Sequence, residues 1–162
     1  MPLLAFSRYE PVKATVKVKN KPQDAIKQLE RLNKEFRGDN RVKVGLPKNS
    51  NAYPDGTSVI MVGAVHEFGS PSRNIPQRSF LRTGIIENRK VYISMARALL
   101  SKVIEEKMSM HKALSLIGLQ AQTDVRDKIT DIEEPPLKYR DGNPLVDTGH
   151  LRQSITYQIG DD

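Results

Sequence analysis

The stretch from residue 67 to residue 82 constrains the fold of this chain more than any other segment. An apolar segment ends there at Gly69, the residue type that adopts positive φ without steric cost, and prolines at 71 and 76 then keep the chain extended. Beyond the second proline an apolar periodicity typical of a helix begins, with Ser79 available to cap its first turn. The sequence therefore predicts a rigid elbow that leads into a long helix, with arginines on or next to it at positions 73, 78 and 82.

Periodic patterns on both sides of this elbow predict a single α+β domain over residues 1–162. Alternation predicts strands at residues 12–19, 41–46 and 155–159, and helical spacing predicts helices at about 20–38, 79–107 and 114–129. Residues 59–68 fit either a strand or a short helix. Residues 1–10 are expected to form a flexible arm, and residues 133–147 a long loop. The predicted architecture is one mainly antiparallel sheet packed against two long helices and one shorter helix.

Composition excludes several classes of protein. No cysteine is present, so there is no disulfide framework and no thiolate zinc site. No apolar run approaches the roughly 20 residues that span a bilayer, so we expect no membrane partner and synthesis in a reducing cytoplasm. Hydrophobic residues make up only 38% of the chain, which is low for a free-standing globule with two long helices. A helical face or an extended arm that is buried on another subunit would explain this, although a small core is equally allowed.

The net charge of +7 is unevenly distributed. Residues 1–50 hold 12 Lys or Arg against 5 acids, whereas residues 51–162 hold 14 of each. Within the balanced part, residues 71–112 carry 9 bases and 3 acids, and residues 113–162 carry 5 and 9. A basic segment followed by an acidic one suits head-to-tail pairing of identical subunits, although both can also be ordinary solvated faces.

Catalytic constellations are not found in the sequence. His66, His111 and His150 belong to no recognised metal-binding spacing, and no serine lies in a Gly-x-Ser-x-Gly elbow. No Walker lysine accompanies the glycines, so no phosphate cradle is predicted. Glu67 lies beside an apolar run and ahead of Arg73 and Arg78, and we interpret it as the partner of an arginine that holds the elbow. We expect no enzymatic activity, no cofactor and no metal.

Two motifs and their order along the chain resemble the tail-completion or neck proteins of tailed bacteriophages. The first is Glu-Phe-Gly at 67–69 followed by Ile-Pro-x-Arg-x-Phe-Leu-Arg at 75–82, and the second is Pro-Leu-x-Asp-Thr-Gly-x-Leu-x-x-Ser-Ile at 144–155. The similarity spans roughly residues 42–159 and favours a helix for residues 59–68. One departure is Ser79, where the family often carries proline, so the start of the long helix is expected to be less rigid here.

The resemblance implies a structural protein that forms a ring, typically of six copies, where the phage head meets the tail. Its partners would be further copies of itself, other neck proteins, the tail tube or terminator, and genomic DNA that passes through without sequence-specific binding. The virion would be its location. The subunit or partner interface is expected at Glu67, Arg73, Ile75, Pro76, Arg78, Phe80, Leu81 and Arg82. The C-terminal motif contributes Leu145, Asp147, Thr148, Gly149, Leu151 and Ser154.

Two alternatives stay open. A tail terminator that caps the tail tube would share the ring architecture. A basic nucleic-acid-binding module is suggested by the sequence pI near 9.7, although no helix-turn-helix, zinc-finger spacing or aromatic platform accompanies it.

Overall fold

The computed structural model describes residues 22–137 and 141–160, and it is a mixed, mostly helical fold. The described elements are α1 (Pro22–Arg37), β1 (Val42–Gly45), α2 (Val59–Phe68), a 3₁₀ turn (Pro71–Arg73), α3 (Leu81–Glu87), α4 (Arg89–Ile104), α5 (Met110–Asp131), α6 (His150–Ser154) and β2 (Thr156–Ile159). None of the helices in this part of the chain is long and apolar enough to cross a membrane. The predicted arm at 1–10 and the predicted strand at 12–19 lie outside the described residues.

The two described strands form an antiparallel pair, as their alternation predicted. Val42 lies opposite Ile159, and Val44 lies opposite Tyr157. Since residues two apart share a face, these four half-buried side chains form one face of the pair. Helix α5 packs against both strands, and it comes close because Gly118 has no side chain: a Cβ there would lie 2.3 Å from Tyr157 Cδ2.

The main core is built around α5, whose periodicity was predicted correctly. Val125 and Ile129 are fully buried and meet side chains from α2, the elbow, α6 and the segment before β2. The cluster contains Val59, Phe80, Val125, Ile129, Leu145, Leu151 and Ile155. A second cluster of Leu99, Val103, Met110 and Ala113 joins α4 to the start of α5. Leu145 in the core also shows that the predicted loop at 133–147 turns inward near its end.

The predicted continuous helix at 79–107 is wrong in one respect, because it is divided at Asn88. The Asn88 side chain donates to the Gly84 carbonyl at 3.0 Å, and its own N–H bonds to the Ile86 carbonyl, so the helical bonding pattern ends there. Gly84 lies tightly against α5, since a Cβ there would be 3.3 Å from Val125 Cα. The break lets α3 cross α5 at this close contact while α4 packs further along α5. Residues 59–68 form a helix, which confirms the favoured alternative for that segment.

Candidate functional site

The Glu67 carboxylate, at the end of α2, organises the elbow. Its Oε1 accepts hydrogen bonds from Ser79 Oγ at 2.6 Å and from Arg82 N at 3.2 Å, and its Oε2 accepts from Leu81 N at 2.8 Å. Glu67 is only 6% exposed. It therefore caps α3 from another helix, satisfying two N–H groups that have no partner inside α3 and placing a negative charge at the positive end of the helix dipole.

The predicted role of Glu67 as the partner of an arginine is therefore wrong. Within residues 22–137 and 141–160, its carboxylate meets backbone and hydroxyl donors and no guanidinium. The expected cap, Ser79, donates its hydroxyl to Glu67 and makes no capping bond of its own to α3.

The segment after α2 folds back on the end of that helix. Ser70 and Ile75 form an antiparallel bridge, with the Ser70 N–H donating at 2.8 Å to Ile75 O and the Ile75 N–H donating at 3.0 Å to Ser70 O. Gly69 permits this fold, because its φ is +75° and a Cβ there would lie 3.0 Å from Gln77 N. The Gln77 side chain then donates to the Glu67 carbonyl at 3.0 Å. The predicted elbow is thus a short hairpin, which the Ser70–Ile75 bridge closes and the Gln77 side chain ties to the end of α2.

Arg78 is an interior anchor of the elbow. Its Nε donates to the Pro135 carbonyl at 3.0 Å, and Nη2 donates to the Pro136 carbonyl at 3.3 Å, so it ties the elbow to the chain after α5. Burial lowers the pKa of this guanidinium, which is 5% exposed. Phe80 is 1% exposed and lies in the main core. These positions correct the expectation that Arg78 and Phe80 contact a neighbouring subunit directly, because their side chains are already enclosed by their own chain.

The other predicted interface residues differ in exposure. Leu81 and Ile75 are half-buried, whereas Arg73, Pro76 and Arg82 are exposed. These five residues lie on one continuous piece of chain around the end of α2. A neighbouring molecule can therefore reach the exposed three without unfolding the elbow.

The C-terminal motif places α6 against α2. Leu145 and Leu151 are core residues, and Gly149 adopts φ +76° immediately before α6. The Thr148 hydroxyl accepts from the His150 N–H at 3.3 Å, and the Ser154 hydroxyl donates to the His150 carbonyl at 2.8 Å. Asp147 is exposed beside this turn. The two motifs, some 80 residues apart in the sequence, thus meet in the fold, which neither motif alone predicted.

A cleft of about 300 Å³ opens between the C-terminal motif, α2 and the loop at residues 53–57. The ring centroids of Tyr53 and His150 lie 4.8 Å apart, and His150 Nε2 is 2.9 Å from the Asn51 carbonyl. Burial raises the pKa of Tyr53, and the charge of Asp147 adds to this shift. On the α2 side, burial and then the charge of Arg78 lower the pKa of His66. The described residues include no group of three or more His, Asp or Glu side chains placed to hold a metal ion.

A larger feature is an apolar surface around Phe68, which we call the Phe68 surface: Met61 and Phe68 of α2, Ile75 and Pro76 of the elbow, and Ile86 of α3. Phe68 is 73% exposed and Met61 57%. A groove of about 770 Å³ lies on one side of Phe68, between the elbow and residues 135–137. On its other side, a groove of about 580 Å³ runs between β1, α3 and the start of α4. The sequence analysis missed this surface, although the run Val-Ile-Met-Val-Gly-Ala-Val-His-Glu-Phe carries apolar residues on every side of α2.

Helix α1 carries a second exposed apolar stripe, formed by Ile26, Leu29 and Phe36. Polar contacts hold this helix to the body: Arg31 Nη2 donates to the Val103 carbonyl, and Glu35 Oε2 accepts from Met110 N, both at 3.1 Å. The apolar side of α1 is thus available to another surface.

No family model matches this chain, and no significant match to it is found among curated proteins or solved structures.

Proposed function

We propose that this chain is a structural virion protein that assembles into a ring, with six copies as the expected number, at the head-tail junction of a tailed bacteriophage. The resemblance of the motifs at 67–82 and 144–155 supports the class of protein. The structural observation that carries the proposal is the Phe68 surface. In this role the ring joins the neck to the tail tube, requires no cofactor, and leaves a channel through which genomic DNA passes.

Helix α2 supports assembly because its composition does not suit an exposed helix. A helix with apolar residues on every side is expected to be buried on every side. Yet only Val59, Gly63 and Glu67 of α2 are buried, and Met61 and Phe68 lie open to solvent. Burying one such large side chain on a neighbour contributes about 1.5–3 kcal/mol, and a ring repeats that gain at every contact.

The grooves beside Phe68 supply surfaces of matching character. The larger groove is lined largely by apolar residues, among them Pro71, Ile75, Pro76, Pro135 and Leu137. Arg73, Asn74, Gln77, Arg78 and His66 also line it, and no acidic side chain of the described residues does. In a head-to-tail contact, an apolar projection of one copy fills such a groove on the next, and repetition of that contact closes a ring. Arg73 and Arg82 then lie at the rim of the contact, where charged side chains are usual.

Mass measurement of the purified chain tests the proposal. Six copies of 18.3 kDa give a ring of about 110 kDa, which native mass spectrometry and negative-stain microscopy would detect. Phe68→Asp should yield a folded monomer, because the phenyl ring is exposed and its replacement removes no core contact. Leu119→Asp is the matched control, since Leu119 is also an exposed apolar residue of a helix, at 51% exposure, but lies on α5, away from the Phe68 surface. A Phe68→Asp chain that assembles like the wild type would contradict the proposal.

Charge favours the nucleic-acid-binding alternative, since the net charge is +7. The same purified chain separates the two functions in a titration with duplex DNA. Tight binding at physiological salt with a steep salt dependence, by a chain that stays monomeric, would favour the alternative.

A further inference from the structure

The outward face of α4 is basic. Helix α4 contains four basic residues and no acid, and it packs on α5 through Tyr92, Leu99 and Val103. Arg89, Lys90 and Lys102 are exposed, Lys90 on the side of the helix opposite these contacts, and Val91 and Ile93 next to Lys90 are exposed apolar residues. Glu87, the acid just before this helix, is already bound to Lys128 at 2.7 Å. The start of α4 therefore presents unneutralised positive charge beside apolar surface.

The end of α5 is acidic. Asp131 is the last residue of that helix, and Glu133 and Glu134 follow after Ile132, all three acids being exposed. These carboxylates make no ion pair with the part of the chain that the structure describes, and the same holds for Arg89 and Lys90. Among the described residues, two charged faces of opposite sign thus have no ion-pair partner.

Both faces carry charge at the wrong end of a helix for local stability. Arg89 and Lys90 lie in the first turn of α4, where the helix dipole is positive, and Asp131 lies at the negative end of α5. Charges in these positions weaken the helices that carry them. An ionic contact with another molecule accounts for their placement, whereas helix stability does not.

Residues close in sequence to the two faces line the two grooves beside Phe68. Ile86, two residues before the Asn88 break that precedes α4, lines the smaller groove beside Phe68. Pro135, the residue after Glu134, lines the larger one. An apolar surface with both a positive and a negative segment near its rim is complementary to a second copy of itself.

We propose that the basic start of α4 in one copy binds the acidic end of α5, at residues 131–134, in a second copy of this chain. This inference rests on the proposed function only in that the partner is another copy. It specifies which faces meet and makes the contact directional, since each copy offers one face of each sign. Duplex DNA could neutralise the basic face but not the acidic one.

Charge reversal tests the pairing with two variants. The first, Arg89→Glu with Lys90→Glu, makes both faces acidic, and the second, Asp131→Lys with Glu134→Lys, makes both faces basic. Each variant alone should remain monomeric at concentrations where the wild type assembles. Each should unfold at the same temperature as the wild-type monomer or higher, because the reversed charges now suit the helix dipoles. Lys48→Glu and Asp141→Lys are controls for a charge reversal elsewhere, since both residues are exposed and each changes the net charge by two units, half the change of the corresponding variant.

An equal mixture of the two variants is the decisive measurement. In an alternating assembly every basic face meets an acidic face, so the mixture should recover the wild-type mass, and a six-copy ring closes because six is even. Assembly of each variant by itself, or no recovery on mixing, would overturn the pairing while leaving a wild-type ring intact. A wild-type chain that is monomeric at every concentration would overturn the proposed function itself. If the wild type is monomeric and binds duplex DNA through Arg89 and Lys90, the partner of the basic face is nucleic acid and not a second copy of the chain.

Discussion

Substitution of Glu67 is the sharpest test of how the elbow is held. Glu67→Gln keeps the side-chain length and one acceptor oxygen, but it places an NH₂ donor where Ser79 Oγ, Leu81 N or Arg82 N now donates. At least one donor at the start of α3 then lacks an acceptor, and the remaining bonds lose the assistance of the negative charge. Hydrogen bonds to a charged group contribute about 1.5–3 kcal/mol, and a buried unsatisfied donor costs about 1–3 kcal/mol.

The expected loss is about 2–3 kcal/mol in the free energy of unfolding. For a chain of this size each kcal/mol lowers Tm by about 2–4 °C, so Glu67→Gln should lower Tm by roughly 4–12 °C. Urea unfolding followed by circular dichroism measures the change in the free energy of unfolding. The Glu67→Gln chain and its reference should both carry Phe68→Asp, so that assembly does not add to stability.

Glu35→Gln provides a matched control. The Glu35 carboxylate accepts a single helix-start N–H, from Met110 at 3.1 Å, and it is half-buried. The same chemical change should cost about 0.5–1 kcal/mol there, within the range for loss of one cap. If Glu67→Gln costs no more than Glu35→Gln, the carboxylate does not hold α3 as the hydrogen bonds indicate.

Three further predictions concern stability. The pKa of His66 is lowered in the folded chain, so the unfolded chain takes up the proton first as pH falls below about 6.5. The free energy of unfolding should therefore decline from pH 7 to pH 5, and His66→Gln should flatten that decline. Gly118→Ala should cost about 1–3 kcal/mol in urea unfolding, because its Cβ meets the Tyr157 ring, whereas Gly63→Ala should cost less, since its only contact under 3 Å is the tip of Leu46. Arg78→Lys should lower Tm despite the retained charge, because an ammonium cannot reproduce the fork of donors to Pro135 and Pro136, and an unchanged Tm would contradict that role.

The periodic elements could be predicted because their signals are local. Alternation located β1 and β2, and apolar spacing located α5, since the residues that make these patterns are half or fully buried. Apolar spacing also located α1, although Ile26, Leu29 and Phe36 of its stripe are exposed. The break at Asn88 was not predictable in this way. Asparagine is tolerated inside helices, and its presence at position 88 does not by itself reveal the side-chain bond to the Gly84 carbonyl that accompanies the break.

The site was predicted in position but not in role, because its partners are distant in the sequence. Glu67 binds donors 12 to 15 residues ahead, and Arg78 binds carbonyls 57 and 58 residues ahead. Sequence proximity suggested that Glu67 pairs with an arginine of the elbow, with Arg73 and Arg78 both near in the sequence. In the fold Glu67 and Arg78 are satisfied separately, the carboxylate by a helix start and the guanidinium by two carbonyls. A prediction that pairs charges by their closeness in sequence fails when neutral backbone groups are nearer in the folded chain.

The elbow motif contains two kinds of residue, those buried within the chain and those exposed to solvent, and the two kinds have different roles. Residues in a helix project about 100° apart from one to the next, so Glu67 points inward to cap α3 while Phe68 points outward at 73% exposure. Arg78 and Phe80 follow Glu67 in being enclosed, and Arg73 and Arg82 follow Phe68 in being open. A change at an inward residue should therefore alter unfolding without altering the contact between copies, and a change at an outward residue should do the reverse. The buried residues of the motif hold the exposed Phe68 in place. The proposed contact between copies depends on the exposed side chains.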